Sequence, residues 1–333
     1  MSASATTSFD LIGVGSPIMD LLAPVSADFL SQHVQGEKGG MILVNDAEMT
    51  GILANLPDSP ATSTGGSAAN ATLNATRLGL RTTYLGKLGK CDIAATYRDR
   101  FASLGIDTSR FKIGAVPNAR SLILTTPDAA RTMRTDLGAA MTLSPDEITP
   151  ADFAGCRHTH MEGYLVFNEA LADAVLYAAR AAGCSVSVDL ASFEVIKATR
   201  PWIFKQLTTG IDIVFANEDE IRALFEDEDT SYEELARRLA DHGVIAAVKI
   251  GKDGAWIARD SELHRVEPVL VDHVVDTNGA GDSWAAGFLS AYLRGKSLPE
   301  CGRIASRIGA ETVKHLGPII PDEQFVTLLS SLE

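Results

Sequence analysis

Residues 274–288 read VVDTNGAGDSWAAGF: an apolar run, a Gly-Ala-Gly-Asp turn, then small and apolar residues suited to an amphipathic helix. A strand entering a helix through glycine would leave the backbone N–H groups of Gly279, Ala280 and Gly281 unobstructed at the helix start. Orphan donors and the helix dipole both favour an anion there. Asp282 falls in the first helical turn, beside that anion position. Its carboxylate would repel a phosphate, but it can take the proton from a hydroxyl about to attack one. The same residues also suit a tight strand-to-helix turn capped by Asp282, so the surrounding chain has to decide.

Outward from this segment, strand-like apolar runs at 9–15, 82–88, 158–163, 184–189, 211–216 and 244–250 alternate with helix-like stretches at 168–182, 194–209 and 232–242. That alternation predicts an α/β fold: a mostly parallel sheet covered by helices on both faces, a three-layer αβα sandwich. Asn168 and Gly183 stand where a helix cap and a helix stop belong. Two stretches break the pattern, about 16–46 and 111–136, where FKIGA, ARSLILTT and RTMRTD look like short strands joined by turns. They predict a small β-rich lid inserted into the core. With no repeat, low-complexity tract or Pro-rich linker, 9–333 is expected to form one domain and residues 1–8 a flexible tail.

Composition narrows the function classes. A chain of 333 residues with 46% hydrophobic content can bury a large core. Its 29 Lys and Arg against 43 Asp and Glu leave a net charge of −14, which argues against nucleic-acid partners. Local N–H groups can still hold an anionic nucleotide. Cys91, Cys156, Cys184 and Cys301 are too dispersed for a metal knuckle and fit reduced thiols in the cytoplasm. The small, polar N-terminus lacks signal-peptide character, and no apolar run approaches the ~18 residues of a membrane span. A soluble protein without membrane contact is expected.

Four further motifs bear on a ligand. TGGSAANA (64–71) places Gly65 and Gly66, which permit close backbone approach, before a helix carrying Asn70, a donor and acceptor. NEDE (217–220) follows a strand; alone, it equally suits an Asn cap with solvated acids. VKIGKDGAW (248–256) turns between two strands at Gly251 and Gly254, with Lys249 and Lys252 either near phosphates or exposed on a hairpin. GVGSPIMD (13–20) puts Asp20 just past the first strand, where two carboxylate oxygens could serve a diol or merely face water.

Taken in chain order, GVGSPIMD, TGGSAANA, NEDE, VKIGKDGAW and DTNGAGDSWAAGF resemble the signatures of the ribokinase-like, or PfkB, carbohydrate and nucleoside kinases, over about 9–318. Asn278 and the lid phrase ARSLILTTPDAARTM are most similar to adenosine kinase-like members. The resemblance implies an ATP- and Mg²⁺-dependent transfer to a primary hydroxyl, with Asp282 as base and Gly279, Ala280 and Gly281 cradling the phosphoryl group. It implies acceptor contacts from Asp20, Gly65, Gly66 and Asn70. ATP would meet Asn217, Glu220, Lys249, Gly251, Gly254, Gly279 and Gly281, with Glu220 organising Mg²⁺ through water. A response to K⁺, with a cation site near Asp276, and a homodimer formed through the lid also come with the family. Adenosine is the favoured acceptor, with Tyr164 either a candidate to stack on the base or, the reading its strand-end place favours, a buried tyrosine; Ser16 stands where adenosine kinases often carry Asn. A ribokinase- or fructokinase-like sugar is the rival acceptor. A non-catalytic ligand-binding protein on the same fold is the alternative of another class, and it has no chemical need for Asp282.

Other signals point elsewhere. GVGSPI lacks the third glycine of a dinucleotide-binding loop, since Ile18 occupies it. RGKS (294–297) imitates the end of a phosphate-binding loop, but Ser297 and Glu300 have capping-box spacing. His158, His160 and Glu162 would share one strand face; hydrogen-bonded core histidines explain them better than a metal.

Overall fold

The computed structural model describes residues 9–128 and 130–332; the predicted tail, residues 1–8, lies outside them. Eleven helices among these residues flank the strands: α1 (Ala27–His33), α2 (Asp46–Leu53), α3 (Ser67–Arg77), α4 (Asp92–Ser103), α5 (Glu169–Ala181), α6 (Phe193–Leu207), α7 (Glu218–Phe225), α8 (Tyr232–Ala240), α9 (Ala280–Tyr292), α10 (Leu298–Thr312) and α11 (Asp322–Ser330). Strands β1 (Phe9–Val14), β2 (Ile18–Pro24), β3 (Met41–Leu43), β4 (Ala61–Gly65), β5 (Thr82–Leu85), β6 (Lys87–Leu88), β7 (Lys112–Ile113), β8 (Arg120–Thr125) and β9 (Arg131–Asp136) precede β10 (Cys156–Glu162), β11 (Ser185–Asp189), β12 (Ile213–Ala216), β13 (Ile245–Lys249), β14 (Ala255–Arg259) and β15 (Glu262–Val266).

The central sheet runs β15-β14-β13-β12-β11-β10-β1-β5, parallel from β5 to β13 and antiparallel at the β13–β14–β15 end. Side chains alternate between two apolar layers, as buried parallel strands require. Val214, Ala216, Ala246 and Val248 enter one core with α5 to α8, while Ile213, Phe215, Ile245 and Ala247 enter another with α9, α10 and α11. Asn168 caps α5 through the Leu171 N–H at 3.2 Å, and Gly183 beyond it takes φ 85°, as its position after the helix predicted.

A second sheet, β3-β9-β8-β2-β4, stands apart as the lid. Its membership corrects the sequence reading at two points. FKIGA, expected among the lid strands, contributes β7, which pairs with β6 in a separate two-stranded ribbon. Strand β4, ATSTG, was not expected, because its small polar residues carry no apolar alternation; it pairs antiparallel with β2, setting Gly65 opposite Ile18 and Ser63 opposite Asp20. The predicted strand 82–88 also breaks after Leu85: at Gly86 a Cβ would come within 2.5 Å of the Gly15 carbonyl oxygen, and the chain turns away there.

No helix among the described residues is long and apolar enough to cross a membrane.

Candidate functional site

Helix α9 begins at Gly279, which takes φ 72° and accepts the Ser283 N–H at 2.9 Å. A Cβ at Gly279 would lie 2.2 Å from that of Pro318, so both backbone sign and space require glycine. No side chain caps this helix, and the N–H groups of Gly281 and Asp282 have no partner among the described residues. Ala280 N–H reaches back to Thr277 O at 3.3 Å. The helix start is thus open to an anion.

Asp282 faces α3. Ser67 Oγ donates to its Oδ1 at 2.8 Å and Asn70 Nδ2 to its Oδ2 at 2.9 Å. Ser67 and Asn70 are three residues apart and so share one helix face. Burial raises the Asp282 carboxyl to about 6, against these two hydrogen bonds, with the Asp189 charge adding to the rise. Gly66, with φ 104°, admits the chain into α3; a Cβ there would meet the Ser16 carbonyl oxygen at 2.2 Å.

Since Gly66 offers no side chain to cap α3, a distant carboxylate does so. Glu162, at the end of β10, accepts Ala68 N–H at 3.3 Å through Oε2 and Ser16 N–H at 2.9 Å through Oε1. It thereby ties the turn before β2 to the helix that holds Asp282, and burial raises its carboxyl to about 7. Its strand neighbours are not metal ligands. His158 bonds Ser185 and Ser187, His160 bonds Ser187, and burial lowers the two imidazoles to about 3 and about 4.

Asp20 lies in β2 rather than in a loop after the first strand, with its carboxylate against Gly65: a Cβ there would stand 2.4 Å from Oδ2. Tyr97 Oη donates to the Gly65 carbonyl at 2.9 Å and fixes that backbone. Burial raises Asp20 to about 7. Asp20, Gly65, Gly66, Asn70 and Asp282 therefore form one continuous group across the junction of lid and core.

Lys249 is not on an exposed hairpin. Its ammonium bonds Asp189 Oδ2 at 2.9 Å and stands 3.3 Å from where a Cβ of Gly281 would sit. Glu220 is 3% exposed, in a reciprocal capping box with Asn217: Asn217 N–H and Nδ2 each donate to it at 2.8 Å, and its own N–H donates to Asn217 Oδ1 at 2.9 Å. Burial, helped by the Asp189 charge, raises the Glu220 carboxyl. The cap and the buried acid are thus the same feature. Gly251 and Gly254 shape the β13–β14 turn with φ 47° and 93°; their near neighbours are Glu218 and the 266–268 backbone rather than the Asp282 group.

Among the described residues no three His, Cys, Asp or Glu side chains could grip a metal directly. A hydrated Mg²⁺ contacted through water by Glu220 suits that donor set. Near Asp276, where a cation site was expected, both oxygens are engaged: Arg131 of β9 and Asn278 N–H reach Oδ1 at 2.7 and 2.8 Å, and Gly317 N–H reaches Oδ2 at 2.8 Å. Ser67, Asp189, Arg131 and the capping role of Glu162 escaped the sequence reading. Only Ser67 carried a signal, its helical spacing from Asn70.

An anion-accepting helix start with a lysine beside it and a buried acid in its first turn is the equipment of small-molecule phosphotransferases. Residues 42–324 match the pfkB family of carbohydrate kinases, and the chain belongs to that family. It is an ATP-dependent kinase whose relatives act on small nucleosides or sugars, and the family uses ATP, generally with Mg²⁺. The adenosine kinase of Sinorhizobium meliloti superposes with a TM-score of 0.84 at 30% identity, over 98% of this chain and 100% of that one. A nucleoside kinase of Methanothermobacter thermautotrophicus is 31% identical over 76% of this chain and 79% of its own. An uncharacterised sugar kinase of Archaeoglobus fulgidus is 29% identical over 72% of this chain and 94% of its own.

Proposed function

We propose that this kinase transfers the γ-phosphoryl group of ATP to the primary hydroxyl of a nucleoside, adenosine before others, with Asp282 as general base. The observation that carries this is the double grip of Ser67 and Asn70 on the Asp282 carboxylate beside an uncapped helix start. A carboxyl with a pKa of about 6 is ionised at neutral pH, yet basic enough to take a proton as the alkoxide forms. The 279–281 loop cradles the migrating group, the Gly281 N–H, unpartnered among the described residues, donating to it directly and Ala280 N–H on leaving its 3.3 Å bond to Thr277 O, with Gly279 completing the turn, and Lys249 meets its charge.

Asp20 accepts from the vicinal hydroxyls of the ribose, against the open backbone of Gly65 and Gly66, with Asn70 joining acceptor to base. ATP lies toward Asn217, Glu220, Lys249, Gly251 and Gly254; Glu220 would hold Mg²⁺ through bridging water, and the ion would supply neutralisation of the phosphate charge. Lid and core act as one unit, closing on the acceptor to keep water from competing for the phosphoryl group. The exposed edge strand β3, with Met41, Ile42 and Leu43 open to solvent, supports a homodimer built through the lid.

Likeness to the S. meliloti adenosine kinase supports adenosine. So does Tyr164, 44% exposed at the carboxyl end of β10 and within electrostatic reach of Glu162 and Asp282, where a base could stack. The A. fulgidus relative favours a sugar, whose diol Asp20 would serve equally. ADP release measured with adenosine, other nucleosides, ribose and fructose decides between them. Adenosine turnover is expected; turnover of sugars alone overturns the nucleoside assignment, and ligand binding without ADP release overturns catalysis.

A further inference from the structure

Strand β11 ends on Asp189, and Ala191 just beyond it holds a left-handed backbone, φ 68°. For a residue with a Cβ that conformation is strained and persists only when its surroundings enforce it. Its N–H bonds Asp189 Oδ1 at 3.1 Å, which leaves Oδ2 for the Lys249 ammonium at 2.9 Å. The two side chains are 8% and 13% exposed. Gly163 also allows this turn to pass close, since a Cβ there would meet the Asp189 carbonyl oxygen at 2.6 Å.

A buried ion pair is a poor way to gain stability, because desolvating both charges offsets their attraction. What this pair delivers is placement. Lysine is a point charge on a flexible four-carbon stem, and here it is held to one spot beside Gly281. Burial by itself would favour the neutral amine; the carboxylates of Asp189 and Glu220, then Asp282, outweigh it and keep the ammonium charged.

We infer that Asp189 is a positioning residue, which uses the strained turn at Ala191 to aim the Lys249 ammonium at the phosphoryl group held by the glycine loop. This rests on the phosphotransfer reading of that loop. No proton moves: the ammonium stays charged and shares its hydrogen bonds between Asp189 and the incoming phosphoryl oxygens.

The test is a double-mutant cycle of Asp189→Asn and Lys249→Met, followed by kcat, the KM values for ATP and acceptor, the Mg²⁺ requirement and thermal melting. Lys249→Met is expected to lower kcat about 10²- to 10³-fold. Asp189→Asn should lower it about tenfold while sparing the acceptor KM, and should cost nothing further on the Lys249→Met background. If Asp189→Asn does not fold, Asp189→Glu, which shifts the carboxylate by one methylene, should show the same dependence on Lys249. Losses that multiply in the double variant overturn the inference, as does recovery of Asp189→Asn by extra Mg²⁺, which would make Asp189 a metal-binding group. A wild-type protein releasing no ADP with any acceptor removes the phosphotransfer reading as well. Multiplicative losses in an active enzyme remove the inference alone.

Discussion

Replacing Asp282 by Asn removes one negative charge and changes little in shape. Its Oδ1 can still accept from Ser67, but its new Nδ2 would point at Asn70 Nδ2, donor against donor, in place of the present 2.9 Å hydrogen bond. Rotation of the Asn70 amide relieves that clash, so the folding cost stays within about 1–3 kcal/mol. The loss in rate is larger. General-base assistance contributes about 10²- to 10⁴-fold, or about 3–5.5 kcal/mol of barrier, and Asn has no basic site to supply it. Steady-state ADP release across pH 5–8 reads both consequences. Wild-type kcat should fall as pH drops through about 6, where the carboxyl gains its proton, and the variant should be slow with that acidic limb gone. A variant within a few-fold of wild type, or one retaining the same limb, refutes the base assignment.

Gly279→Ala should both destabilise the protein and abolish turnover, since the new methyl would sit 2.2 Å from Pro318 in a left-handed turn; thermal melting with an ADP assay checks it, and an unaltered melting temperature contradicts the close packing. The apo protein should lose melting temperature as pH rises from 6.5 to 8. Asp20 and Glu162, raised to about 7, are still partly protonated when folded but fully ionised when unfolded, so the folded state binds more protons and its advantage drains away as pH climbs. The buried histidines oppose this only in part, because unfolded histidine, with its ordinary pKa of 6.5, is already half deprotonated where the window opens; Asp20→Asn should flatten the slope. Finally, because Arg131 already neutralises Asp276 at 2.7 Å, replacing K⁺ by a bulky monovalent cation should leave kcat unchanged, and a strict K⁺ requirement would refute that role for Arg131.

The alternating strands, the helix caps at Asn168 and Ser297, and the glycine turn before Asp282 were all legible in the sequence, because each follows from local periodicity or backbone freedom. Strand β4 was not, since ATSTG has no apolar period and becomes a strand only by pairing with β2. Nor could local pattern distinguish an exposed lysine from a buried one at 249. That depended on Asp189, sixty residues away in the chain and next to the strained turn at Ala191, delivering a carboxylate to it.

Residue types near the anion position, and the order in which they occur, belong to the sequence alone, because they arise from contacts within a few residues. Which charges meet belongs to the tertiary structure. Ser67 and Asn70 reach Asp282 across more than two hundred residues, Glu162 caps a helix ninety-four residues before it, and Arg131 of the lid reaches Asp276. Only packing α3 against α9 and β10, and the lid against the core, brings these groups within hydrogen-bonding distance and out of water, and desolvation is the main force lifting Asp20, Glu162 and Asp282 above ordinary carboxyl pKa values.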